Sequence, residues 1–312
     1  LIIGRVALAG AVDGGALRAA GWQVNGALNV TPYDDLRDVP SYAALEDLLA
    51  DATLDAVCLD GSDPRLAQHL PTLLEHGLHV LLPGPAPLDL ELLRDARSVF
   101  DAAWDSVPRL VDDPQRPSRS GSSPAEVAVT LAQRWEPWTR TVAAAIPLVG
   151  TPVLQATVRG WPRGITAAAD LIDLARAWCG EVVSVIAAPA PVPAPELGPG
   201  LPVAWSLLHD SGATTLVSHE GAPTLARLSF ATARLEAGPL GARWEGGAEL
   251  PLGAPVSGLR ATATALLEAV PRGELSTDSW PWPGDLGDLQ AISRVLAALR
   301  ESARAEAPAR VA

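Results

Sequence analysis

The chain has 312 residues, enough for two domains with their own cores. Its 23 basic residues are all arginine, and 36 acidic residues leave a net charge of −13, which argues against nucleic acid or an anionic membrane surface as partner. No apolar run approaches the ~20 residues needed to span a bilayer.

In chain order, Gly4 to Ala9 reads as a strand, followed by a glycine-containing turn and a short helix over Ala16 to Ala20. Gln23 to Val30 is a second strand, and Ala43 to Ala50 an amphipathic helix. The segment from Thr53 to Leu88 is the most informative one. Ala56-Val57-Cys58-Leu59 is a short apolar run ended by the breakers Asp60-Gly61-Ser62-Asp63-Pro64. Arg65 to Glu75 has helical spacing, with Leu66, Leu70, Leu73 and Leu74 on one face. Gly77 stops that helix, and His79-Val80-Leu81-Leu82 is a second apolar run closed by Pro83-Gly84-Pro85. Strand, crossover helix and strand of this size form a right-handed βαβ unit, the building block of a parallel, doubly wound sheet.

A helix is predicted from Leu88 to Ala103 and a further sheet strand from Val107 to Val111. Asp112 to Pro124 is polar and rich in Pro, Ser and Gly, a linker or long loop. Beyond it the texture changes. Strands are predicted at Glu126 to Gln133, Pro152 to Arg159 and Val182 to Ala187, with a helix over Ile165 to Cys179. Val203 to Leu208 and Ala213 to His219 form a hairpin through Asp210-Ser211-Gly212, and Leu225 to Phe230 with Ala233 to Glu236 continue the meander. Helices at Gly258 to Val270 and Asp285 to Arg304 close the chain. The expected architecture is α/β: a Rossmann-like parallel-sheet domain over 1–122, then an α+β domain with a mainly antiparallel open sheet over 123–312.

Several segments together resemble the Gfo/Idh/MocA oxidoreductases, of the glucose–fructose oxidoreductase and inositol dehydrogenase type. They are Leu54-Asp55-Ala56-Val57, Gly77-Leu78-His79-Val80, Arg134-Trp135-Glu136-Pro137, Val149-Gly150-Thr151-Pro152 and Asp170-Leu171-Ile172-Asp173 followed by Trp178-Cys179-Gly180-Glu181. The resemblance runs along almost the whole chain. It implies an NAD- or NADP-binding first domain and a sugar, polyol or related small molecule as ligand. By resemblance, Gly10, Val12, Gly15, Asn29, Gly61 and Gly84 occupy the cofactor-binding positions.

The functional positions depart from the family pattern. Gly10-Ala11-Val12-Asp13-Gly14-Gly15 keeps the outer glycines of G-x-G-x-x-G, with Val12 at the middle one, where a side chain is expected to crowd a pyrophosphate. Asp13 adds a negative charge where phosphate would be received. Asn29 stands where a ribose-binding Asp is usual, and Gly61-Ser62 replaces Thr-Pro. The family's lysine position is Gly84, in a chain with no lysine, and its histidine position is Asp170. Asp170 and Asp173 share a helix face; Asp170 is either a general base for a hydroxyl, if burial raises its pKa, or a solvated, cap-like carboxylate. Arg134 or Arg163 could lend electrostatic help, but an arginine cannot shuttle a proton as lysine does.

Two readings remain open at this level. One is a family member with degenerate cofactor and catalytic motifs and weak or no dehydrogenase activity. The other is an active NAD(P)-dependent oxidoreductase using Asp170 as base. The histidines are spaced unlike a metal motif, so no metal is expected. The ten tryptophans read mainly as core and interface packing. Cys58 and Cys179 read as buried reduced thiols. No signal segment is expected ahead of Arg5-Val6-Ala7-Leu8, and the cytoplasm is the expected compartment. An open sheet face needs covering, so a homo-dimer or tetramer through the second domain is expected.

Overall fold

The computed structural model describes residues 4–28, 39–85, 89–106, 125–162, 164–188, 202, 204–219, 223–270, 275 and 281–312. They form two compact units: residues 1–130 with 257–290, and residues 131–256 with 291–312.

The first unit holds β1 (Arg5–Ala9), α1 (Gly14–Ala19), β2 (Gln23–Leu28), β3 (Ser41–Tyr42), α2 (Leu45–Leu49) and β4 (Ala56–Leu59). It continues through α3 (Pro64–Ala67), α4 (Leu70–Glu75), β5 (His79–Leu82), α5 (Leu90–Ser106) and β6 (Val127–Val129). The sheet order is β3-β2-β1-β4-β5-β6 and every pairing is parallel. This is a Rossmann-like order, with its topological switch between β1 and β4. Strands β4, β5 and β6 are buried at every residue, as strands with both faces covered must be.

Two details differ from the sequence reading. The helix expected over Arg65 to Glu75 is two helices, α3 and α4, because Pro71 in the first turn of α4 has no N–H to continue the ladder. The strand expected within Glu126 to Gln133 belongs to the parallel sheet, where Val127–Val129 pairs with β5. The strand expected at Val107 to Val111 lies outside the described residues. The first unit also takes in residues 257–290. A later helix, α8 (Gly258–Ala269), packs on α1, β5 and β6 and contributes Ala263, Leu266 and Ala269 to the first core. The buried Trp22 indole fastens it, donating from Nε1 to the Ala263 carbonyl at 2.7 Å.

The second unit begins with a 3-10 turn, Ala132–Trp135, then α6 (Pro137–Val149), β7 (Gln155–Arg159) and α7 (Ile165–Cys179). There follow β8 (Val182–Ala188), β9 (Ala204–His209), β10 (Thr214–Ser218), β11 (Leu225–Ser229), β12 (Arg234–Gly238), β13 (Gly241–Trp244) and β14 (Glu249–Leu250). α9 (Leu286–Ala305), which belongs to this unit from Ala291 on, and the edge strand β15 (Ala309–Arg310) close the chain. The sheet order is β14-β13-β12-β11-β7-β10-β9-β8-β15, antiparallel except between β7 and β10. The hairpin at Asp210-Ser211-Gly212 forms as expected, with Gly212 at φ +83°. Helices α6 and α7 cover one face of the sheet. On the other, Ile186, Leu208, Leu216 and Leu225 stay exposed. No helix among the described residues is long and apolar enough to cross a membrane.

Candidate functional site

The glycine turn leaves the C-terminal end of β1, and Asp60 leaves the C-terminal end of the adjacent β4. Both therefore stand at the switch point, where sheets of this order bind ligands. Gly10 has φ +91°, and a Cβ there would lie 2.5 Å from Asp60 Cβ and 2.7 Å from Leu66 Cδ1. Only glycine meets both demands. Asp60 Oδ2 accepts the Ala11 N–H at 3.3 Å, and its Oδ1 accepts from the Ser62 backbone N–H at 3.0 Å and hydroxyl at 2.6 Å. Asp13 is the N-cap of α1, its Oδ1 accepting the Ala16 N–H at 3.1 Å.

Val12 is buried and belongs to the core with Leu8, Leu17 and Trp22. Its side chain turns inward, so the crowding expected from it is not what the loop presents. Gly15 is the second residue of α1, where a Cβ would come within 3.2 Å of Asp13 Oδ1, and Gly61 follows Asp60 in a turn. Gly84 has open space around its Cβ position, so nothing in the packing requires glycine at the place of the family's lysine. Asn29 lies outside the described residues. Asp60 is a residue that sequence reading treated only as a strand breaker. The signal was the Asp-Gly-Ser run, an Asx-turn in which the carboxylate bonds two residues on.

In the second unit the candidate residues are on α7 and the 3-10 turn. Asp170 is 6% exposed, in the sixth position of α7, so it is neither solvated nor a cap. Burial, then the neighbouring Asp173 carboxylate, push its pKa up to about 8; the backbone N–H of Gln133, the Arg134 charge and the backbone N–H of Ala132 pull the other way. Its Oδ1 has no hydrogen-bond partner among the described residues. Asp173, one turn on, is equally buried and takes the Arg134 guanidinium in a bidentate pair, Nε to Oδ2 at 2.8 Å and Nη2 to Oδ1 at 2.6 Å. Arg176 lies 3.9 Å from Asp173 and pairs with Glu181 at 2.7 Å. Arg134 is thus held in place by Asp173, and its charge also acts on Asp170. Arg163 lies outside the described residues.

The other polar residues serve packing. His209 uses Nδ1 on the Gly180 carbonyl at 2.6 Å and Nε2 on Thr215 Oγ1 at 2.9 Å, and burial lowers its pKa. His219 Nδ1 reaches the Trp161 carbonyl. His79 accepts the Glu126 N–H, and burial holds its pKa at about 4. Trp138 meets Trp161 and Trp178 edge-on, at centroid distances of 6.3 and 6.1 Å. Cys58 and Cys179 are buried and free. No cluster of metal-ligating residues exists among the described residues.

No family model matches the chain, and no curated protein does. Solved structures do. An aldose–aldose oxidoreductase from Caulobacter crescentus, complexed with glycerol, aligns over 98% of this chain and 99% of its own at 15% identity and a TM-score of 0.74. A myo-inositol dehydrogenase from Corynebacterium glutamicum aligns over 99% of both chains at 15% identity and a TM-score of 0.68. A levoglucosan dehydrogenase in complex with NADH aligns over 99% of both at 13% identity and a TM-score of 0.69. These neighbours are Gfo/Idh/MocA-type oxidoreductases. At such identities the likeness is one of fold, shared over 98–99% of this chain.

Proposed function

We propose that the chain is a Gfo/Idh/MocA-type scaffold that binds a small polar molecule of the sugar or polyol class, with weak or no dehydrogenase turnover. One observation carries this: the position of the family's amine is Gly84, in open space, and the position of its imidazole is Asp170, a buried carboxyl that is mostly neutral at pH 7. Neither group of the acid–base pair is present, and no other lysine exists to replace the first. A fold does not carry its chemistry without the site. The buried free cysteines suit a reducing, cytoplasmic setting. The exposed apolar residues of β8 to β11 and the paired row Arg227–Glu236–Arg243 beside them suit a second copy of the same face, giving a homo-dimer or tetramer.

A second reading, an NAD(P)-dependent oxidoreductase on a sugar, polyol or related carbonyl compound, is favoured by Asp170 alone. A buried carboxyl with its pKa raised to about 8 can hold or release a proton near neutrality, as acid–base residues do. The test is a panel of sugars and polyols with NAD and NADP, followed at the nicotinamide absorbance, beside calorimetric titration of the same panel. The expected result is binding of a panel member without turnover. Turnover by the wild type, abolished in Asp170→Asn with ligand affinity intact, would establish the second reading instead.

A further inference from the structure

We infer that the first unit closes its own dinucleotide loop, with the carboxylates of Asp60 and Asp13 standing where a pyrophosphate would bind, so that NAD and NADP are excluded. The phosphate-binding quality of such a loop comes from unpaired backbone N–H groups and the positive end of a helix. Here the Ala11 N–H points at Asp60 Oδ2 and the Ala16 N–H at Asp13 Oδ1. α1 is only six residues long and adds little dipole of its own. Asp60 is pressed against the turn: a Cβ on Gly10 would touch its Cβ. It is braced from behind by the Ser62 N–H and hydroxyl. A pyrophosphate would have to displace these carboxylates from their donors and then remain beside them, charge against like charge. Val12 contributes no obstruction, since its side chain lies in the core. The exclusion is electrostatic, and it belongs to residues that follow two adjacent strands, β1 and β4, at the switch point.

The implied cofactor therefore does not fit the loop as it stands. This concerns binding in the first unit and rests on the proposed reading only in taking the loop as one of dinucleotide type. A wild type that bound cofactor yet gave no turnover would sink the inference and leave the proposed scaffold intact.

The experiment is calorimetric titration of the full chain with NAD, NADH, NADP and NADPH at low salt. It compares wild type with Asp13→Asn/Asp60→Asn and Asp13→Asn/Asp60→Ala. The first double variant keeps the cap and the shape and removes two charges; the second also frees the Ala11 donor. Thermal melts followed by circular dichroism establish that each is folded. The wild type should show no binding at millimolar ligand, and the variants should gain affinity by about tenfold or more, the second more than the first. Micromolar affinity in the wild type would overturn the inference, and so would two folded variants as silent as the wild type.

Discussion

Replacing Asp170 by asparagine should change how the stability of the second unit depends on pH. An unfolded Asp titrates near 3.8, whereas the folded carboxyl is held up at about 8, first by burial and then by Asp173. The folded state thus keeps a proton that the unfolded state has lost across the window from about 4 to 8. Stability falls with rising pH throughout that window and levels off above it. The wild type therefore keeps the most from this group below pH 4 and the least above pH 8. At about 1.4 kcal/mol per unit, the loss between pH 5 and pH 8 comes to ~4 kcal/mol. Asparagine does not ionise, so Asp170→Asn removes this slope. It adds a constant offset for its amide hydrogens, which is independent of pH. Urea unfolding at one-unit steps from pH 5 to 9 measures the effect, followed by the fluorescence of the Trp138, Trp161 and Trp178 cluster in the same unit. All other titrating groups are common to both proteins and cancel in the difference. That difference should grow in favour of the variant by a few kcal/mol between pH 5 and pH 8 and then stay flat. Parallel curves for the two proteins would refute the reasoning and return Asp170 to an ordinary carboxylate.

Breaking the buried pair from one side should be severe: Arg134→Ala or Asp173→Leu takes the bidentate partner from a buried charge and should cost about 3–5 kcal/mol in urea unfolding, much of it recovered in Arg134→Met/Asp173→Leu. Gly10→Ala should destabilise by at least about 1–3 kcal/mol, because it meets both a positive φ and the Asp60 side chain, whereas Gly84→Ala should be within about 0.5 kcal/mol of wild type. If the proposed assembly forms through the open sheet face, Leu216→Arg/Ile186→Arg should leave a 32.4 kDa monomer by light scattering with an unchanged melt; a wild type already monomeric at every concentration would refute the assembly.

Much of the fold was legible in the sequence because its signals are local. The buried strands β4 and β5 are short apolar runs closed by breakers, and the hairpin of β9 and β10 announces its turn with Asp-Ser-Gly. What escaped depends on partners far along the chain. Val127–Val129 is three apolar residues, and only pairing with β5 decides that it completes the parallel sheet. α8 looks like any amphipathic helix; its place in the first core is set by Trp22 and α1, some 240 residues earlier in the case of the Ala263 bond. α6, with Pro137 at its start and Pro147 inside it, presents weak helical evidence that packing against α7 overrides.

The site divides in the same way. The sequence shows which groups are missing, since a family motif has a fixed spacing and a lysine cannot be hidden. It does not show what replaced their interactions. Val12 looked like the obstacle because the motif places it at the point of closest approach, yet its side chain direction is a matter of core packing. Asp60 looked like punctuation, yet it is the group that reaches the Ala11 donor. Asp170 could be read as base or as solvated surface because an i, i+3 spacing fixes a shared face but not whether that face is wet. Burial first, and the Asp173 carboxylate second, push the Asp170 carboxyl up to about 8. In both units a carboxylate stands at a position where the resembling family is expected to carry something else: Asp60 against a glycine turn, and Asp170 at the place of an imidazole.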